Sequence, residues 1–297
     1  MCQSIVHRGP DDYGIEIQEK INLGFRRLSI VGLETGHQPM FSFDRKQVIV
    51  FNGEIYNYKE LRASLEKQGF PFKTNSDTEV ILNLYKKSGL DFVKQLNGMF
   101  AFALWDIDEE RLILARDRMG EKPLFYQRKG NEIFFASELK ALVKHPHCSR
   151  ELSSEGLNKY LTYEYVPTPY TILDQVWKLE AGEMAVITEH EMQKSFYWQH
   201  PNYGFQEGTV HTEKEAIEQI DSLLSDSIKI RMQADVPVGV LLSGGIDSSL
   251  VTAIASKVKT GNERTKSFSI YFEEASHDES SYIKKIVSKY DLEHYSQ

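Results

Sequence analysis

The stretch from Val236 to Ser249 limits the fold more than any other part of the chain. Residues 236–242 form an uninterrupted apolar run of strand length, as expected of a strand buried on both faces of a parallel sheet. Ser243-Gly244-Gly245 breaks the run. Residues 247–258 are then expected as a helix, with Ile246, Leu250, Ile254 and Val258 along one stripe. Two glycines let main-chain N–H groups approach phosphate oxygens, and a helix start adds positive potential. Ser243, Ser248 and Ser249 add hydroxyl donors. No Gly-Lys-Ser/Thr follows the glycines, so this is not the common phosphate loop. Asp247 puts a carboxylate where an anion would bind, and two anions repel. A bridging divalent cation, most simply Mg²⁺ with Asp247 as ligand, resolves the conflict. The competing reading is a plain strand-to-helix turn with an ordinary first-turn acid. It is disfavoured because Ser-Gly-Gly-x-Asp-Ser after an apolar strand is a demanding pattern.

A length of 297 residues leaves room for about two domains. A formal charge of −8 with no lysine or arginine block argues against broad nucleic-acid binding. The apolar runs at 99–105 and 236–242 are far too short to span a membrane. Two cysteines, Cys2 and Cys148, in a chain with no visible secretory leader point to a reducing cytoplasm.

Taken in order, residues 7–12 are expected as a turn and 21–31 as a strand, with Gly24 to Ile30 at its end. Residues 47–51 are expected as a strand with Asn52-Gly53-Glu54 just past its end. Asn57 is a candidate N-cap, and Ser76 with Glu79 reads as a capping box for a helix over 77–87 closed by Gly89. Strands are expected at 99–105, 111–116, 123–127, 132–136 and 183–188, with a short helix over 137–144. The polar segment 201–211 reads as a linker between a domain over 1–200 and a second over 212–297. In the second, Thr212 and Glu215 cap a helix with the stripe Ala216, Ile217, Ile220, Leu223, Leu224 and Ile228. A strand at 267–272 and a helix at 279–290 then continue the doubly wound strand–helix pattern.

Asn52 and Gly53 offer a side-chain amide and a main-chain N–H close together, a pair able to stabilise an oxyanion. Arg27 could grip a carboxylate bidentately, and Glu54 and Asp77 could hold an ammonium. Such a set suits an α-amino acid whose side-chain amide meets the oxyanion donors. From spacing alone, solvated turn and cap residues explain the same positions as well.

Several motifs occur in order: His7-Arg8-Gly9-Pro10-Asp11, Arg27-Leu28-Ser29-Ile30, Asn52-Gly53-Glu54-Ile55-Tyr56-Asn57, Ser76-Asp77, Asn97-Gly98-Met99-Phe100, Arg116-Asp117-Arg118-x-Gly120 and Ala136-Ser137-Glu138-Leu139. Together they resemble the class II glutamine amidotransferase domain, an α+β N-terminal-nucleophile αββα sandwich. Ser243-Gly244-Gly245-x-Asp247-Ser248 resembles the loop of an α/β doubly wound ATP-pyrophosphatase domain. The combination resembles glutamine-hydrolysing asparagine synthetase. The resemblance implies that Arg27, Leu28, Ser29, Ile30, Asn52, Gly53, Glu54 and Asp77 bind glutamine, with Asn52 and Gly53 as oxyanion hole. It further implies that Leu241, Ser243, Gly244, Gly245, Asp247, Ser248 and Ile270 bind ATP. Aspartate would be amidated through a β-aspartyl-AMP intermediate, with ATP and Mg²⁺ required and a homodimer allowed.

The family's nucleophile is a cysteine at the start of a strand, several tens of residues before the His-Arg-Gly-Pro-Asp turn. Cys2 lies five residues before His7 and is therefore expected to be a packing cysteine at a helix end. The chain is read as a piece of a longer protein, short of its first strand and of much of its second domain. Cys148, beside His145 and His147, is read as a loop residue rather than a metal ligand. Three other readings compete. One is an amidotransferase acting on another carboxylate, suggested by the segment 272–280. Another is a non-hydrolysing relative like β-lactam synthetase, disfavoured by the retained Arg27, Asn52, Glu54 and Asp77. A non-catalytic binding module is the third alternative.

Overall fold

The computed structural model describes residues 1–201, 212–259, 264–270 and 279–297. It divides into two compact units, Met1–Pro201 and Asn202–Gln297. The expected linker lies, apart from Pro201, outside the described residues.

The first unit opens with a 3-10 segment, Cys2–Arg8. It continues through β1 (Asp12–Ile17), β2 (Asn22–Arg27), β3 (Met40–Phe41), β4 (Gln47–Ile55), α1 (Tyr58–Lys67), α2 (Asp77–Ser88), β5 (Gly98–Asp106) and β6 (Arg111–Arg116). Then come β7 (Phe125–Lys129), β8 (Glu132–Ala136), α3 (Leu139–Leu142), α4 (Ser154–Tyr163), β9 (Trp177–Lys178), β10 (Glu183–Ile187) and β11 (Met192–Phe196). Six strands form an antiparallel sheet in the order β11-β10-β6-β5-β4-β3. Two smaller sheets, β1-β2 and β8-β7-β9, accompany it.

Strand alternation sends the side chains of β4 to two different cores. Ile49, Phe51 and Ile55 join Phe102, Leu104 and Ile113 beneath the helical residues Leu65, Val80, Ile81 and Leu84. Val48 and Val50 face the other way, with Ala101, Ala103 and Leu114, and meet Leu23 of β2 and Tyr126 of β7. Behind that second layer Phe134 of β8 packs on Leu142 of α3 and on Cys148. Helices, large sheet, smaller sheets and helix therefore stack as an αββα sandwich. Each fully buried aliphatic or aromatic side chain contributes about 1.5–3 kcal/mol to it.

The second unit contains α5 (Glu213–Arg231), β12 (Gly239–Leu241), α6 (Ile246–Val258), β13 (Lys266–Ser269), α7 (Ser280–Tyr290) and β14 (Glu293–Ser296). Its strands are parallel in the order β12-β13-β14. Leu224, Ile228 and Ile254 pack with Val240, while Ile283 and Leu292 pack with Leu242. This is the α/β half expected from the glycine loop.

The structure corrects several expectations. Strand β12 covers only three residues of the apolar run 236–242, and Leu241 is 81% exposed, because the described helices pack on the Val240 and Leu242 side. The proposed α6 stripe fails at its start, since Ile246 is 87% exposed and the buried residues are Thr252, Ala253, Ile254 and Ala255. In α5, Ile217, Ile220 and Leu223 are exposed and only Ile228 is buried. The strand expected at 267–272 ends at Ser269, and residues 271–278 lie outside the described residues. Thr212 and Glu215 do form the expected capping box.

In the first unit, β2 stops at Arg27 rather than Val31, because the guanidinium of Arg27 gathers the next carbonyls into a loop. The expected turn at 7–12 is a 3-10 segment leading into β1. Ser76 caps α2 by accepting from Thr78 N–H. Glu79 does not complete the box, since its carboxylate accepts from the N–H groups of Lys73 and Thr74 instead. Asn57 occupies the N-cap position of α1 without capping it, and bonds Gln95 and Asn97.

Candidate functional site

Strand β4 runs four residues further than its apolar run implied, because β5 pairs with it along its whole length, to Ile55↔Gly98. Asn52, Gly53 and Glu54 are therefore inside a strand, not past its end. Asn52 and Glu54 continue the row Val48, Val50 toward the space between the sheets, so an apolar row turns polar there. That space is a cavity of about 830 Å³ lined by Arg27, Asn52, Gly53, Glu54 and Asp77. Leu28 and Ile30 also line it, whereas Ser29 does not. Ser29 instead donates its N–H to Asp11 at 2.8 Å.

One edge of β4 creates the donor pair. Tyr56 N–H bonds Asn97 C=O, so the even-numbered residues of β4 bond to β5 and the odd-numbered N–H groups turn away. On that outer edge Ile49 pairs with β3, Phe51 N–H donates to Gln38 Oε1 at 2.6 Å, and Ile55 N–H donates to Asp77 Oδ2 at 3.0 Å. The Gly53 N–H lies between these two and has no acceptor among the described residues. The adjacent Asn52 Nδ2 is buried and likewise has no partner. A buried donor without an acceptor costs about 1–3 kcal/mol, so the Asn52 amide, with the open Gly53 N–H next to it in sequence, marks a place that a ligand oxygen would fit. Only glycine fits at position 53: φ is +152°, and a Cβ would lie 2.0 Å from the Met99 carbonyl oxygen.

Arg27 is buried and donates from Nη1 to Leu33 C=O at 3.1 Å. Its Nη2 donates to the carbonyls of Val31 at 3.0 Å and Gly32 at 2.7 Å. Gly36 leaves room for this group, since a Cβ there would sit 2.3 Å from Nη2. Arginine has five N–H donors, so a carboxylate in the cavity would meet those left by the loop.

Two carboxylates complete the cavity. Asp77, the first residue of α2, is buried, and burial pushes its pKa up to about 6, with Glu54 adding to the rise. Burial also raises Glu54, while the Lys122 ammonium opposes the shift. Lys122 lines the same cavity. It lies in a turn whose N–H groups at 119, 121 and 122 all donate to the buried Asp117 carboxylate. Gln38 and Lys122 were missed from sequence, and Asp117 stood in the Arg116-Asp117-Arg118 motif without an assigned role. Gln38 stands in Gly-His-Gln-Pro, where only its non-apolar character between structured segments could have marked it.

Cys2 begins the 3-10 segment, half-buried, with its Sγ over Gly24 of β2, where a Cβ would come within 2.3 Å. It also lines the cavity. Cys148 is buried against Phe134 and Val176, His147 pairs with Glu132 at 2.9 Å, and His145 stacks on Phe134 at 4.0 Å.

In the second unit Ser243 N–H donates to Ser248 Oγ at 3.2 Å, and the two hydroxyls lie 2.9 Å apart. Gly244 has φ +90°, and Gly245 stands at the N-cap of α6 without a side-chain cap. The first-turn N–H groups of α6 thus have no side-chain cap, and Asp247 is exposed beside them. Leu241 and Ile270, both exposed, lie on the neighbouring strand β12 and just after β13. This donor set fits a phosphate chain with a divalent cation.

Residues 1–198 match the profile of a family described as a glutamine amidotransferase domain, and residues 219–297 match that of asparagine synthase. A putative glutamine-hydrolysing asparagine synthetase 2 of Methanocaldococcus jannaschii is 40% identical over 99% of this chain and 60% of its own length. Glutamine-hydrolysing asparagine synthetase 1 of Bacillus subtilis is 38% identical over 100% of this chain and 46% of its own length. The chain thus spans about half the length of the curated relatives it matches. Among solved structures, an allosteric regulatory enzyme of purine biosynthesis aligns with 93% of this chain and 66% of its own, at 18% identity and a TM-score of 0.43.

Proposed function

The chain belongs to the glutamine amidotransferase domain family, with an asparagine synthase segment behind it, and on that premise we propose that its first unit binds glutamine for an ATP-driven amidation. The observation that carries the reading is the pair of unpartnered donors, Asn52 Nδ2 and Gly53 N–H, in one cavity with Arg27, Glu54 and Asp77. The Arg27 guanidinium takes the α-carboxylate, and Glu54 with Asp77 takes the α-ammonium. The side-chain carbonyl then reaches Asn52 and Gly53. Those donors are preorganised for the negative charge that develops on that oxygen when the amide is attacked. Leu28 and Ile30 add apolar lining to the same cavity. Cys2, over Gly24 in a 3-10 segment, is assigned to packing.

The second unit is proposed to hold MgATP. Ser243, Gly244, Gly245 and Ser248 cradle the phosphates, Asp247 holds the cation, and Leu241 and Ile270 flank the base. When bound, Mg²⁺ would offset the repulsion between Asp247 and the phosphates. In the full reading, aspartate is the acceptor and is activated as a β-aspartyl adenylate before ammonia replaces AMP. The relatives named as glutamine-hydrolysing asparagine synthetases support that choice of acceptor.

Calorimetric titration with L-glutamine tests the first site. Wild-type protein is expected to bind it, and Arg27→Ala to abolish binding. Binding that survives in Arg27→Ala, or no binding by the wild type, overturns the reading. Glutamine hydrolysis that disappears in Cys2→Ala overturns the packing assignment of Cys2.

A further inference from the structure

Strand β3 pairs with β4 only at Met40↔Ile49 and Phe41↔Val48. The same register carried two residues further would set Gln38 opposite Phe51. The main chain does not continue the ladder there. The Gln38 carboxamide does so in its place, with Oε1 accepting the Phe51 N–H at 2.6 Å and Nε2 donating to the Phe51 C=O at 3.1 Å. These are the two bonds a paired strand residue would make. Nε2 also lies 3.4 Å from Thr78 Oγ1, in the first turn of α2 beside Asp77. Gln38 is 4% exposed, and it lines the cavity.

We propose that Gln38 is a positioning residue of the oxyanion hole: its carboxamide stands in for a neighbouring strand at Phe51 and so presents the Asn52 amide and the Gly53 N–H to the ligand. Among the described residues no strand pairs with the edge of β4 beyond Ile49, and an unpaired edge with a glycine in it is the part of a sheet freest to move. Gln38 and Asp77 pin that edge at Phe51 and Ile55, one residue pair on either side of Gly53. A full strand would have consumed the Gly53 N–H as well. A side chain reaching only Phe51 holds the edge and leaves that donor open. The bond to Thr78 ties the oxyanion side of the cavity to the helix start that carries Asp77. The inference rests on the glutamine reading above.

The test compares binding of L-glutamine with L-norvaline, which has the same carbon chain but no side-chain carbonyl. Wild-type protein is expected to prefer glutamine by about tenfold, the worth of about 1.4 kcal/mol of hydrogen bonding. Gln38→Met, of similar length with neither bond, is expected to lower that preference to about twofold or less while norvaline affinity stays within about twofold. Its Phe51 amide should lose exchange protection while Val50, bonded to β5, keeps it. Gln38→Glu, which retains the acceptor for Phe51 N–H, should recover part of the preference. If Gln38→Met does not fold, Gln38→Asn, one methylene short of Phe51, takes its place. Equal weakening of both ligands, or an unchanged preference, overturns the proposal. A wild-type protein without any preference for glutamine overturns the oxyanion-hole reading itself, before any variant is made.

Discussion

The Asp77 carboxylate accepts the main-chain N–H of Ile55 at 3.0 Å, so the first residue of a helix completes the edge of a strand. The bond fixes a buried acid beside Glu54, and burial lifts its pKa to about 6 from an ordinary 3.8. Between those values the folded protein holds a proton that the unfolded chain has released. Stability from this group is therefore present below about pH 4 and declines as pH rises toward 6. Asp77→Asn keeps an acceptor for Ile55 and cannot titrate. Relative to wild type it should gain about 2–3 kcal/mol between pH 4 and pH 7. Urea denaturation at the two pH values measures the difference, and parallel pH curves would sink the assignment. Glutamine binding by wild type should weaken as pH falls through 6, since a protonated Asp77 no longer attracts an ammonium.

Asn52 and Gly53 should respond oppositely in stability and alike in binding. Asn52→Ala removes a buried donor without a partner and should leave stability unchanged or raise it by about 1 kcal/mol. Gly53→Ala forces a Cβ to within 2.0 Å of the Met99 oxygen at φ +152° and should cost more than about 2 kcal/mol. Both should lose the preference for L-glutamine over L-norvaline. Thermal melts together with calorimetry separate the two effects. A strongly destabilised Asn52→Ala would mean that its amide has a structural partner.

Arg27→Lys preserves charge but not the planar fork that reaches the carbonyls at 31, 32 and 33. Each lost bond to a charged donor is worth about 1.5–3 kcal/mol, and the loop from Leu28 to Gly36 depends on all three. Faster amide exchange and proteolysis confined to that loop are expected, with glutamine binding weakened at least tenfold. Unchanged exchange would show that the loop holds itself.

Asp247→Asn keeps the helix start and removes one negative charge. Mg²⁺-dependent ATP binding should weaken by at least tenfold, and the Mg²⁺ dependence should flatten. Glutamine binding should be unaffected. Loss of both together would refute separate sites.

Local pattern was sufficient where an element's own neighbours in sequence supply its bonds, and it failed at Asn57 and Glu79, whose side chains bond other groups. The capping box at Thr212, the serine–glycine loop before α6 and the apolar runs of β4 and β5 are of the first kind, because such signals are short-range. Tertiary structure decided what depends on partners far along the chain. Whether Leu241 and Ile246 are buried depends on which face the helices cover, and periodicity carries no such information. That Asn52 and Gly53 are donors without acceptors follows from Gln38 and Asp77 taking the bonds on either side, across 13 and 22 residues. Hydrogen-bond satisfaction is a property of the whole neighbourhood, so an open donor becomes visible only when every competing acceptor is in place.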